Sequence, residues 1–274
     1  MLKKSNFAVI LITVVFLLSG MASTSDAADQ GTLSYSRSAQ VSEAFGKEAL
    51  DAFTKEFGIK VESHVSSSGS AVYRLMNGFS DIASTTRELY RRHRDYGYVQ
   101  IPFSKDPIAI LTNAQNPVAE ITESQLQEIF SGDIANWKDV GGLDQPIIVV
   151  VPGEDTGAYK NFARQVMKRK EIAYDLMTYR STMAIDVVEH FPWSISAIAQ
   201  GAAVDNKAVK VLKIDGRLPR DNDYPYHQIF YFITKGEPKG PAKALIDFVF
   251  SDKGLEIIKK RGMVPVLHKP SKLQ

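Results

Sequence analysis

The stretch Ile59-Lys-Val-Glu-Ser-His-Val-Ser-Ser-Ser-Gly-Ser-Ala-Val-Tyr-Arg-Leu-Met-Asn-Gly78 changes its chemistry in the middle. Residues 59–64 alternate apolar and polar side chains, the period of a strand. Residues 66–70 are four serines and a glycine, a turn composition. Residues 71–78 carry helical spacing and stop at a glycine, and residues 82–84 then read as a short strand. Strand, turn, helix and strand in succession is the signature of an α/β layer. The same alternation extends outward in both directions. Upstream, residues 32–35 read as a strand. Residues 41–57 form a helix pattern with Phe45, Ala49, Ala52 and Phe53 on one face, closed by Gly58. Downstream, 107–111, 147–151 and 229–233 are strands. Helices are expected over 123–130, behind a Thr122 cap, and over 158–170, 241–250 and 253–260. There is no internal repeat, low-complexity segment or flexible linker. If the chain makes two lobes, strands must cross between them.

The composition suits a folded soluble chain of 274 residues, with 44% hydrophobic and 23% charged residues. A net charge of +2 from 33 basic and 31 acidic residues gives no footprint for a nucleic-acid partner, and none is expected. Zero cysteines exclude disulfides, thiol catalysis and cysteine-based metal sites. The five histidines have no ligand spacing, so neither metal nor cofactor is expected. The hydrolase motifs G-x-S-x-G and S-x-x-K and the phosphate loop G-x-x-x-x-G-K-[ST] are absent, and no catalytic residue is assigned. At the N-terminus, Lys3 and Lys4 precede an apolar run over 7–18 that is shorter than a membrane span. Ser25 and Ala27 supply the small side chains of a cleavage site before Ala28. The expectation is a signal peptide over 1–27 and an exported, periplasmic mature protein.

Polar chemistry concentrates at three loop-to-helix junctions: Ser34-Tyr35-Ser36-Arg37-Ser38, Ser66-Ser67-Ser68-Gly69-Ser70 and Gly153-Glu154-Asp155-Thr156-Gly157. A helix N-terminus offers unpaired amides and a positive dipole end. Hydroxyls add neutral donors, and glycine permits close approach of a ligand to the backbone. Each junction alone is most simply an N-cap; three together form a cage for a small anion.

With these segments in view, the chain resembles the periplasmic phosphate-binding proteins of ABC transporters, within the type II periplasmic binding proteins. The resemblance rests on Ser67-Ser68-Gly69-Ser70 followed by Asp81-Ile82-Ala83-Ser84. It rests further on Ile121-Thr122, Gln125-Leu126, Ile129-Phe130, Gly132, Ile134 and Asn136-Trp137, then Gly141-Gly142. Near the end it includes Tyr224-Pro225, Phe248-Val249, Ser251, Gly254, Gly262 and Val264-Pro265. It implies a two-lobed α/β fold, each lobe a mixed sheet flanked by helices, with a cleft between them. Lobe I would be 28–103 with 228–274, and lobe II would be 104–227. It implies capture of phosphate or a related oxyanion by a monomer that delivers it to an inner-membrane ABC permease. The alternative is the same fold used as a sensor or interaction module with its anion site altered.

By position the resemblance implies ligand contacts from Ser36, Arg37, Ser38, Ser67, Ser68, Gly69, Thr85, Thr86, Glu154, Asp155, Thr156 and Gly157. Two charged contacts depart from the family. Thr86 stands where an Asp accepts the phosphate's proton, and Pro152 stands where an Arg precedes the hydroxyl turn. Arg37 is either the replacement cation or a solvated surface residue. Glu154 is either the expected partner of that Arg or the missing proton acceptor. The family's Ala-Ile-Gly-Tyr loop reads Ser194-Ile195-Ser196-Ala197. Because a hydroxyl can donate to phosphate and sulfate alike, weaker discrimination between them is expected. The basic run Arg91-Arg92-His93-Arg94 is read as a solvated helix face.

Overall fold

Ser67 marks the change from strand to helix that the opening stretch implies. Its backbone is extended (φ −71°, ψ 159°) and its hydroxyl accepts from Ser70 N at 3.2 Å, replacing a partner the first helical turn lacks. The structure, a computed structural model, describes residues 31–154, 156–179, 181–203 and 206–267. The expected leader and Asp155 lie outside the described residues.

From the N-terminal side the elements run β1 (Thr32–Ser38), α1 (Ala39–Val41), a π-helical turn (Ser42–Gly46), α2 (Lys47–Phe57), β2 (Lys60–Ser66), α3 (Ser68–Met76), β3 (Ile82–Thr85), α4 (Arg91–Asp95) and β4 (Tyr98–Asn113). Then come β5 (Glu120–Ile121), α5 (Glu123–Ser131), a 3-10 turn (Trp137–Val140), β6 (Ile148–Pro152), α6 (Gly157–Gln165), β7 (Leu176–Thr178), α7 (Ser181–His190), β8 (Ser194–Ala199) and α8 (Gln200–Ala203). The chain closes with β9 (Val209–Val211), β10 (Lys213–Ile214), β11 (His227–Lys235), α9 (Gly240–Val249), α10 (Asp252–Lys260) and β12 (Val264–Pro265).

The sheet has the order β2-β1-β3-β11-β4-β8-β6-β7, with β9 and β12 also on β4. β1, β2 and β3 are mutually parallel, as are β6, β7 and β8, whereas β11 and β4 run against their neighbours. β4 is the spine. Tyr98 to Pro107 pair with β11, and Ile108 to Thr112 pair with β8. Two pairs of apolar clusters follow. One group unites Leu33, Phe53, Phe103, Phe232 and Phe248, with a satellite around Leu75 and Leu89. The other unites Ile108, Leu126, Trp137, Phe162 and Tyr224, with a satellite around Leu111 and Val188. The mixed sheet thus curls into two lobes joined through β4 and β11.

Local chemistry accounts for the ends. Thr122 and Gln125 close a reciprocal capping box on α5, and Gly132 ends it at φ +86°. Trp137 is fully buried, and its Nε1 donates to Trp193 O at 2.8 Å, tying the turn after α5 to the start of β8. Four expectations need correction. The helix over 41–57 is interrupted by the π-helical turn, where Gly46 lies against Arg37. The helix expected over 158–170 ends at Gln165, because Lys168 (φ 51°) and Arg169 (φ 69°) turn left-handed. The strand expected at 107–111 is part of a much longer one that runs through Pro102 and Pro107. Ser194-Ile195-Ser196-Ala197 is not a loop but the fully buried strand β8.

Candidate functional site

The second and third junctions meet across the lobes. Ser68, just inside α3, is buried, and its Oγ accepts from Thr86 N at 3.3 Å and lies 3.3 Å from Thr86 Oγ1. Thr86 follows β3 and donates its hydroxyl hydrogen to Gln40 Oε1 at 3.2 Å. From the other lobe, Gly157 opens α6 directly on these groups. A Cβ at Gly157 would fall 1.8 Å from Thr86 Oγ1 and 2.4 Å from Gln40 Oε1, so only glycine permits this approach. Thr156 caps α6 by accepting from Tyr159 N at 3.2 Å. Asn161, one turn on, donates to Thr86 O at 3.2 Å, and Gln165 exchanges two hydrogen bonds with the backbone of His227.

Beside this floor lies a cavity of about 520 Å³, lined by Ser68, Thr86 and Gly157 at its base. Arg87, Lys160 and Arg164 bring positive charge to its walls, Glu88 brings one acid, and Tyr231 adds a ring. Burial, reinforced by Lys105, pushes the His227 imidazole below its ordinary range. Burial and Glu88 push the Tyr231 phenol up, with Arg164 opposing. The cavity therefore offers hydroxyl groups and the N-terminal end of α6 at its floor, with guanidinium and ammonium groups around them, suited to an anion. Among the described residues, no three His, Asp or Glu side chains are grouped to hold a metal ion.

The remaining expected residues sit elsewhere. Ser36 Oγ accepts from Arg74 Nε at 3.2 Å. Ser38 caps α1, its Oγ 3.4 Å from Val41 N. Arg37 is buried. Its Nε donates to Ser63 Oγ at 2.8 Å, and its Nη1 lies against Gly46 with no partner, away from the cavity lining. Thr85 Oγ1 accepts from Arg87 N at 3.3 Å, Gly69 lies against the Arg87 guanidinium, and Ser67 is an exposed cap. Glu154 is exposed and borders a separate surface cavity with Tyr159 and Lys170.

Sequence reasoning missed Gln40, Arg87, Lys160, Asn161 and Arg164. A signal was available. Gly157, Lys160, Asn161 and Arg164 recur at helical spacing, a polar stripe on a helix whose other residues build the core.

The PBP superfamily domain model matches residues 22–253, and the chain belongs to that superfamily, with the two-lobed type II periplasmic binding protein fold. The phosphate-binding protein PstS of Bacillus subtilis is 30% identical over 165 residues, spanning 58% of this chain and 55% of that protein, little more than half its length. PstS of Borreliella burgdorferi is 25% identical over 224 residues, covering 76% of this chain and 80% of that one. A Clostridium perfringens structure, assigned to phosphate ABC transport and solved with bound phosphate, superposes with a TM-score of 0.76. It is 26% identical and covers 86% of this chain and 99% of its own.

Proposed function

We propose that this protein is an extracytoplasmic solute-binding protein that captures phosphate or a related oxyanion and delivers it to an inner-membrane ABC permease. The observation that carries the reading is the meeting of Ser68, Thr86 and the α6 N-terminus at the floor of a cavity walled by Arg87, Lys160 and Arg164. An oxyanion gives up costly hydration on entering a cleft, and fixed hydroxyls, amides and cations replace it. The helix dipole of α6 adds positive potential at Gly157. The ligand would enter with the lobes parted about β4 and β11 and be enclosed when Gly157 returns to Thr86. Lobe I is 28–103 with 228–274 and lobe II is 104–227, a division supported by apolar clusters that do not mix across it. Binding here involves no bond making or breaking. The protein acts as a monomer without nucleic acid, and its leader over 1–27 is removed on export. No helix among the described residues is long and apolar enough to cross a membrane.

The test is a thermal-shift screen of the mature chain against phosphate, arsenate, sulfate, molybdate and phosphonates. An anion at 100 times its dissociation constant should add about 2.7 kcal/mol of stability. No response to any of them would point to the sensor or interaction alternative.

A further inference from the structure

A chain of buried amides leads from the cleft floor to the crossing strands. Thr86 Oγ1 donates to Gln40 Oε1 at 3.2 Å, and Gln40 Nε2 donates to Gln228 Oε1 at 3.1 Å. Gln228 sits on β11 directly across from Asp106 on β4. Gln228 Nε2 and Asp106 Oδ2 are each buried without a partner at ordinary hydrogen-bond distance, a donor and an acceptor on cross-strand neighbours that act on each other at longer range. Asp106 Oδ1 accepts from Gly201 N at 3.1 Å. All four side chains, from Thr86 to Asp106, are almost wholly buried.

The chain has a direction. An ionised carboxylate can only accept, so it turns the amide NH2 of Gln228 toward itself. Gln228 then presents its oxygen to Gln40, and Gln40 presents its oxygen to Thr86. With its only hydrogen given to Gln40, the Thr86 hydroxyl has lone pairs alone to offer elsewhere.

We propose that Asp106, acting through Gln228 and Gln40, fixes Thr86 as a hydrogen-bond acceptor, so that the cleft prefers oxyanions that carry a proton over fully ionised ones. The proposal rests on the oxyanion reading above. Hydrogen phosphate can donate its proton to Thr86. Sulfate has none to donate and would face a lone pair at close range. Such a preference is the opposite of the expectation that a threonine at this place weakens discrimination. Asp106 is a positioning residue, since it touches no ligand.

The groups around Asp106 set its response to pH. Burial pushes its carboxyl up to about 7, opposed by the Gly201 amide, the charge of Arg261 and the amides of Gln228 and Gln200. Arg261 donates to the backbone oxygens of Ala44 and Gly201, and Glu43 belongs to the turn beside α8. Lys105 and His227, the neighbours of Asp106 and Gln228 along their strands, act on each other. A protonated Asp106 can donate as well as accept, and the direction of the chain is then no longer imposed.

The experiment is calorimetric titration of the mature protein with inorganic phosphate and with sulfate at about pH 8.5. There phosphate keeps one proton and Asp106 is ionised. Wild type should prefer phosphate by at least tenfold. Asp106→Asn, whose amide can donate back, should lower that ratio about tenfold or more. Gln40→Met breaks the chain at a residue outside the crossing strands, should do the same, and decides the matter if Asp106→Asn does not fold. The gap between wild type and Asp106→Asn, compared at equal pH so that phosphate's own titration cancels, should shrink below pH 7. Unchanged selectivity in Gln40→Met, or a wild type without preference, overturns the relay while leaving oxyanion capture standing. A wild type that binds neither anion overturns both.

Discussion

Gly157→Ala should hold the cleft open. In the closed contact an alanine Cβ would lie 1.8 Å from Thr86 Oγ1 and 3.1 Å from Thr86 Cβ, and ordinary contact begins near 3.4 Å. The lobes must therefore part by about 1.6 Å at this point, since the obstructing atoms belong to a buried side chain. Moving α6 that far stretches the Asn161 to Thr86 bond from 3.2 Å beyond hydrogen-bond range. It also withdraws the α6 amides from an anion seated on Ser68. One neutral hydrogen bond contributes about 1 kcal/mol and one bond to a charged acceptor about 1.5–3 kcal/mol. Phosphate affinity should fall about 50- to 1,000-fold. The fold should tolerate the change, because alanine suits the first turn of a helix better than glycine does. Calorimetry gives the affinity, and small-angle scattering with and without phosphate should show compaction in wild type only. Wild-type affinity in Gly157→Ala, with compaction retained, would refute the closure geometry.

Other outcomes follow from the same contacts. Arg164→Ala should weaken phosphate binding about two- to fivefold, because the side chain is exposed, and the effect should shrink in added salt. Ser68→Ala should cost about tenfold or more in phosphate affinity, read by calorimetry. Trp137→Phe removes the bond to Trp193 O and should cost about 1–3 kcal/mol in a denaturant titration. Asp106 has a folded pKa of about 7, above its unfolded value, so its protonated form favours the fold. Its contribution is fully present below about pH 4 and is lost as pH rises through 7. Asp106→Asn should flatten the fall in stability over that window, as followed by melting temperature against pH.

The fold was legible because its punctuation is local. Ser67, Thr122, Thr156 and the glycines at 58 and 132 act within a few residues of themselves, so their pattern survives in sequence. β4 was legible only over 107–111, because prolines are uncommon within central strands and Pro102 and Pro107 find their place only once β11 pairs along this segment. β8 was missed because Ser194 and Ser196 disguise a fully buried strand. At the site, Ser68 and Gly157 could be named from their junctions, and Thr86 only from the family resemblance. Gln40 and Gln228 could not, since they are 188 residues apart and meet only after β4 and β11 pair. Arg37 misled because strand alternation sends it to the face opposite Ser36, toward Ser63 and Gly46.

The division of the apolar clusters sets an order on the making of the molecule. The cluster around Trp137 and Tyr224 draws on 108–226 alone, a contiguous run. The cluster around Phe53 joins Leu33 and Val41 to Leu245, Phe248, Ile258 and Met263, near the two ends of the described chain. On a chain synthesised from its N-terminus, the first lobe begun is therefore the last that can close. Its opening strands and helices emerge without α9 and α10 to cover them, and wait while the second lobe completes itself. A chain halted before Gly240 would carry one finished lobe and one with its apolar face still turned to water.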